Sequence, residues 1–126
     1  MSQSSQEKPI PIYTTDGEWA ALLVSPHIFN TVGEWIGWVT SEHDVYDVDG
    51  LYVGWLSTEN RILRSRSIKT PARKSPPDPP APIRAPATIP LPPLMSELPY
   101  SVIDVLDEEP ERLHTLDTGE LKEDMN

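Results

Sequence analysis

Cysteine is absent from this 126-residue chain, so neither a disulfide nor a thiolate metal site can staple it. Long apolar runs are missing as well. None approaches the ~18 residues that a membrane-spanning helix needs, and no charged-then-apolar leader opens the sequence. The expectation is a cytoplasmic protein with no membrane span. Basic residues are scarce at both ends. Residues 1–59 hold one basic against nine acidic side chains, residues 60–96 seven against one, and residues 97–126 two against ten, for a net charge of −10. That sign disfavours nucleic acid as a partner. A basic waist between acidic ends can fold back on either, weakly where the pairs are exposed.

Proline is what the chain has in excess. There are 15, and 11 of them lie between Pro71 and Pro99. Proline donates no backbone hydrogen bond and resists helix and central strand. The foldable part is therefore read as Pro9 to Lys69. A unit of about 60 residues buries only about 60% of its unfolded surface and is marginal alone. It needs an aromatic-rich core or association with copies of itself. All four tryptophans, at 19, 35, 38 and 55, fall in this stretch, which supports the first option and leaves self-association open.

Those tryptophans sit in a twelve-residue unit written three times without gaps: Ile12–Leu23, Ile28–Val39 and Val45–Leu56. One short unit cannot bury its own apolar face, so such a period points to units stacked on one another. Position 6 of the unit is always glycine, at 17, 33 and 50. Asp16-Gly17 and Asp49-Gly50 predict two-residue type I′ hairpin turns. Val32 resists positive φ, so the middle copy suggests a type II′ turn or a bulged loop with glycine alone in the special conformation. Position 2 is aromatic (Tyr13, Phe29, Tyr46), as is position 8 (Trp19, Trp35, Tyr52), and the two should face each other across the strands. Strand alternation puts positions 8, 10 and 12 on one face and 9 and 11 on the other. Position 10 is small (Ala21, Gly37, Gly54), which suggests close approach of another backbone. Ile62-Leu63 opens a fourth copy that then lacks a glycine turn and a tryptophan strand. The strand Asn60 to Ser67 is expected to pair with Ile10–Thr14, closing the ring and leaving no exposed edge.

These residues resemble the small bacterial four-fold β-flower domains. Their unit is similar to tyrosine-x-x-x-glycine-x-x-valine-glycine-tryptophan, met here by Tyr46, Gly50, Val53, Gly54 and Trp55, and by Phe29, Gly33, Ile36, Gly37 and Trp38. The first copy departs from it at Ala21-Leu22. The resemblance implies an all-β, pseudo-four-fold closed ring of short hairpins and carries no catalytic residue across.

The expected organisation is a disordered N-terminus over 1–9, the β domain over 10–69, a Pro-rich disordered arm over 70–99, a short docking helix over 100–109 and an acidic disordered tail over 110–126. The arm should be extended, with polyproline II character, reaching on the order of 90 Å. Within it Arg73, Pro76 and Pro79 match the basic-x-x-Pro-x-x-Pro pattern of ligands for aromatic grooves; a chance match, common in Pro-rich linkers, is the plainer reading. Beyond it Val102, Ile103, Val105 and Leu106 fall at i, i+1, i+3 and i+4, one face of a short helix. With Tyr100 they are the expected anchors for a protein partner, the alternative being a residual apolar patch.

Chemistry is thin. His27 and His43 occupy equivalent inter-repeat loops, where Glu42, Asp44 or Asp47 would complete a divalent-cation site; solvated loop histidines are the plainer reading. No Ser/His/Asp order, phosphate loop or thiol nucleophile is present. No cofactor is expected. The aromatic residues Trp35, Trp38, Tyr52 and Trp55 read as core, or else as a platform for a small ligand. The resulting expectation is a non-enzymatic interaction or adaptor protein, with a small-ligand-binding module and a metal-assisted hydrolase through His27 and His43 as alternatives.

Overall fold

Eight short strands run in sequence order through one antiparallel sheet: β1 (Ile10–Tyr13), β2 (Trp19–Val24), β3 (His27–Phe29), β4 (Trp35–Val39), β5 (Asp44–Asp47), β6 (Tyr52–Leu56), β7 (Ile62–Ser65) and β8 (Val102–Asp104). A single turn of helix, α1 (Val105–Glu108), and a 3-10 turn at Pro110–Arg112 follow. The computed structural model describes residues 8–67 and 71–116; expectations for 1–7, 68–70 and 117–126 lie outside the described residues. Among the described residues no helix is long and apolar enough to cross a membrane.

The hairpin turns share one design, and it is not type I′. The amide of Gly17 donates to the Thr14 carbonyl (2.9 Å), that of Gly33 to Asn30 (3.0 Å) and that of Gly50 to Asp47 (3.0 Å). Only the glycine of each turn has positive φ, near +90°. The side chain that opens the turn accounts for this. Asn30 Oδ1 accepts from the amides of Val32 and Glu34, and Asp47 Oδ1 from those of Asp49 and Leu51. These Asx bonds hold the two central residues in the right-handed region. Two of the three links between hairpins repeat the device, with Thr40 and Ser57 as openers and His43 (φ 72°) and Asn60 (φ 62°) where glycine stands in the hairpins; the first link is the cis Ser25-Pro26 turn.

Position 2 faces position 8 in each of the first three hairpins, as expected: Tyr13 opposite Trp19, Phe29 opposite Trp35, Tyr46 opposite Tyr52. Position 1 faces position 10, which leaves position 9 as an extra residue and puts a bulge in every second strand. The bulge breaks the strict alternation read from the sequence. Positions 1, 9 and 12 turn inward with Ala21. Ile12, Ile28, Val45 and Ile62 are wholly buried and meet Ile36, Val53, Leu23 and Val39 in one central core. Positions 2, 8 and 11 turn outward into a second, aromatic layer around Leu22, Phe29 and Trp35, with Trp19 and Trp38 against it. So the aromatic residues are not the central core. The small position 10 does meet neighbouring backbone: a Cβ on Gly54 would lie 2.2 Å from the Leu63 carbonyl oxygen.

The largest departure concerns the fourth unit. β7 does not pair with β1. It pairs with β8, Leu63 opposite Asp104 and Ser65 opposite Val102. The missing second half of the repeat is thus supplied from beyond the Pro-rich arm, and residues 66–101 stand where the other hairpins have a short turn. Ile103, Val105 and Leu113 enter the central core, so the β unit draws on 10–65 and on the segment after residue 100. Between β1 and β8 the link is a side chain: Asp104 Oδ2 accepts from the amide and the hydroxyl of Thr15, both at 2.6 Å.

Candidate functional site

The arm is not a free spacer. Residues 71–99 have no regular strand or helix, yet they follow a fixed path over the outer, aromatic face. Pro77, Pro80, Ile83, Pro86, Ile89, Pro92, Met95 and Leu98 are half-buried, one in every three residues; among the rest of residues 75–99 only Ala85 joins them. Three residues per turn is the period of polyproline II, so one ridge of such a helix lies on the sheet. Ile83, Ala85 and Ile89 pack against the layer formed by Leu22, Phe29, Trp35 and Val48. The aromatic platform expected to meet a ligand is covered by the chain's own arm.

Contacts with the hairpin glycines recur at nine-residue steps, three turns of that helix. The Lys74 amide donates to the Gly50 carbonyl (3.0 Å) and the Ile83 amide to that of Gly33 (2.9 Å), while Pro92 Cγ lies 3.4 Å from the Cβ position of Gly17. The arm therefore visits the hairpin turns in reverse order, third, second, first. At Gly33 and Gly50 the returning carbonyl of Ile83 or Lys74 occupies the space of a Cβ, 1.9 and 2.0 Å from where one would stand, so positive φ and close approach both require glycine there.

Two side-chain clasps hold the far end. Tyr13 donates its hydroxyl to the Pro90 carbonyl (2.6 Å), and burial pushes that hydroxyl's pKa upward. Arg61, 1% exposed, donates to the Ser96 carbonyl (3.1 Å), the Ser96 hydroxyl (3.2 Å) and Thr15 Oγ1 (3.0 Å), and it pairs with Glu59. Glu59 in turn accepts from the Ser96 amide and hydroxyl. Burial opposes ionisation of Glu59, but the Ser96 and Arg61 bonds outweigh it and hold its carboxyl below the usual range. Sequence reasoning passed over Arg61. Its position just after Asn60, equivalent to that of Asp44 after His43 in the preceding link, is the only signal the sequence offers.

The expected docking residues separate. Ile103 (3% exposed) and Val105 (0%) are core, and Val102 and Leu106 are half-buried. Ile103 and Val105 cannot anchor a partner without opening the fourth hairpin, which they help to complete; Val102 and Leu106 keep part of their surface in solvent. Tyr100 is 87% exposed, with the Arg66 guanidinium 4.9 Å above its ring. Of the aromatic residues, Trp35 and Tyr52 are buried. Trp38 is half-buried, stacked on Tyr46 at 5.1 Å, with its Nε1 donating to the Asp47 carbonyl. Trp55 is half-buried beside an open hollow of about 590 Å³ that His43 and Asn60 also line.

His27 packs edge-on against Phe29 and Trp35, and burial lowers its pKa. Among the described residues neither His27 nor His43 joins a cluster with cation-binding geometry. Among the described residues the group of three that has it is Asp47, Asp49 and His114.

What remains free is the outward side of the arm. One step along from the inward ridge lie Arg73, Pro76, Pro79 and Pro82 and, further on, Leu91 and Leu94, all exposed. Leu94 at 98%, Leu91 at 91% and Tyr100 at 87% are the most exposed large apolar side chains described.

A model of the family described as 4-fold beta flower protein matches residues 4–104. The match runs through the arm and stops at the last residue of β8. No curated protein and no solved structure matches the chain. Three glycine-turned hairpins, a fourth completed by β8 and a family match over most of the chain lead to one assignment: the protein belongs to the 4-fold beta flower family.

Proposed function

We propose that this is a non-catalytic interaction module that presents the outward side of its arm to a protein partner. The observation that carries the reading is the exposure of Leu91 and Leu94 on a segment fastened at both ends, at Pro90 by Tyr13 and at Ser96 by Arg61 and Glu59. A large apolar side chain left in water on a fixed backbone is a feature of binding surfaces. A fastened polyproline II segment has already lost the entropy that a free peptide loses on docking, so its contacts go into affinity. The partner that fits is an aromatic-lined groove spaced for side chains three residues apart, about 9 Å. Asp16, Glu18 and Glu97 flank the segment and favour a basic rim on that groove. Arg73, Pro76 and Pro79 offer a second stretch on the same side.

The test is a capture experiment with the full chain, comparing wild type with the double variant Leu91→Ser, Leu94→Ser. The variant should lose the captured partner while keeping the wild-type melting temperature. Capture of the same partners by both proteins would remove the reading.

A second reading, a small ligand against Trp55, has one observation behind it. His43 and Asn60, the two non-glycine residues with positive φ among the described residues, both line the hollow beside that indole, and such conformations cluster at binding sites. A metabolite screen read by tryptophan fluorescence, repeated on Trp55→Phe, separates it from the first.

A further inference from the structure

The turn of the third hairpin carries two carboxylates, Asp47 and Asp49. Asp47 is buried, with its side chain 7% exposed. Its Oδ1 accepts the amides of Asp49 (2.9 Å) and Leu51 (3.0 Å), which fixes the plane of the carboxylate. Its Oδ2 faces a histidine from a distant part of the chain.

That histidine is His114. It follows Leu113, whose side chain sits in the central core and reaches to 2.9 Å from the Cβ position of Gly37. The imidazole Nδ1 lies 3.1 Å from the Thr115 carbonyl oxygen. A carbonyl only accepts, so Nδ1 carries the hydrogen and the neutral ring turns the lone pair of Nε2 outward. Nε2 stands 3.8 Å from Asp47 Oδ2 and 3.8 Å from Asp49 Oδ2. That is too long for a hydrogen bond. Three lone-pair atoms thus lie within 4.8 Å of one another, and in the neutral tautomer no hydrogen lies between them.

We infer that Asp47, Asp49 and His114 bind a divalent first-row transition metal ion, Zn²⁺ being the type. Zinc with nitrogen and oxygen ligands at about 2.1 Å places tetrahedral ligands ~3.4 Å apart. Nε2 needs to close on each carboxylate oxygen by only about 0.4 Å to reach that, and the exposed Asp49 side chain can swing to set the spacing between the two carboxylates. Two carboxylates with one imidazole favour such an ion over the all-oxygen shells of magnesium or calcium. Asp49 is 55% exposed, so the remaining coordination position faces solvent. The ion acts as a clip. It fastens the segment after α1 to the third hairpin and keeps Leu113 in the core. Gly50, in the same turn, holds Lys74 of the arm, so arm and tail are secured at one place.

The test uses the untagged full chain stripped with a chelator and titrated with ZnCl₂ by calorimetry at neutral pH, alongside Asp49→Asn and His114→Gln. Both altered side chains are partly exposed, so the fold is kept. A third variant, Asp47→Asn, retains the turn acceptor at Oδ1. Wild type should bind one Zn²⁺ per chain and gain melting temperature with it. Each variant should bind at least ~10-fold more weakly and lose that gain. Equal affinity in wild type and variants, as histidines elsewhere would give, overturns the proposal. So does the absence of binding to wild type at about 100 µM Zn²⁺.

Discussion

Replacing Ile103 with alanine separates two accounts of the C-terminal segment. If that segment were a docking element hanging from the arm, the change would leave the stability of the β unit untouched. In the structure Ile103 is 3% exposed, opposite Arg64 in the fourth hairpin and packed in the central core. The substitution removes three carbon groups. At ~0.8 kcal/mol each, their loss of transfer free energy comes to about 2.4 kcal/mol. The cavity left behind, about 80 Å³ if nothing moved, would add up to about 1.9 kcal/mol at ~24 cal/mol per Å³. β8 is three residues long and can settle inward, so part of the cavity term is recovered and the expected loss is ~3 kcal/mol. Against a total of ~5–15 kcal/mol for a small domain, that is a large fraction. The assay is guanidinium unfolding of the full chain followed by tryptophan fluorescence, with Leu94→Ala as the control. Leu94 is 98% exposed, and its replacement should stay within about 0.5 kcal/mol. Equal midpoints for the two variants would refute the assignment of β8 to the core.

Three further predictions follow from single contacts. Gly50→Ala should cost more than Gly17→Ala: both incur the left-handed penalty of ~1–2 kcal/mol, but only at Gly50 does the new Cβ meet a carbonyl oxygen, that of Lys74 at 2.0 Å. Limited proteolysis should then cut the Gly50 variant first near residues 73–78. Gly54→Val should lower the denaturant midpoint more than Glu34→Val, by roughly 1–3 kcal/mol, since Gly54 abuts the Leu63 carbonyl and Glu34 is exposed. The Arg64 hydrogen bond at 2.8 Å, with Arg112 beside it, holds the Glu109 carboxyl below its ordinary value near 4.5. Its folded pKa is thus depressed, so its contribution is complete above about 4.5 and is lost as pH falls through the folded value. The stability gap between wild type and Glu109→Gln should shrink over that acid range. Asp107, raised mainly by burial with neighbouring carboxylates adding to it, works in the opposite sense and is common to both proteins.

Much of the flower was legible in residue order. The glycine at position 6, the facing aromatics at positions 2 and 8 and the small residue at position 10 all follow from the three aligned copies. The turn type was misjudged because Asp-Gly was read as a pair. The decisive residue stands earlier, at Thr14, Asn30 and Asp47, where a side chain caps the turn. The fourth hairpin was hidden by distance. Val102, Ile103 and Val105 have helical spacing, no glycine turn precedes them, and eleven prolines separate them from β7. Nothing local marks a three-residue strand whose stability comes from Leu63 and the core. The path of the arm was written in the sequence at a period of three, from Pro77 through Ile83 and Ile89 to Leu98, while helix and strand are sought at 3.6 and 2. Asp47 and His114 could not be joined from sequence, because packing of Leu113 over Gly37 sets their distance.

The central claim is that the arm lies on the flower and closes its fourth hairpin. Amide hydrogen exchange in the full chain, read residue by residue by NMR, tests it most directly. The Lys74 and Ile83 amides, bonded to Gly50 and Gly33, should exchange markedly more slowly than those of Ser75 and Arg84 next to them. Uniform, free-chain exchange across residues 72–98 would contradict the account.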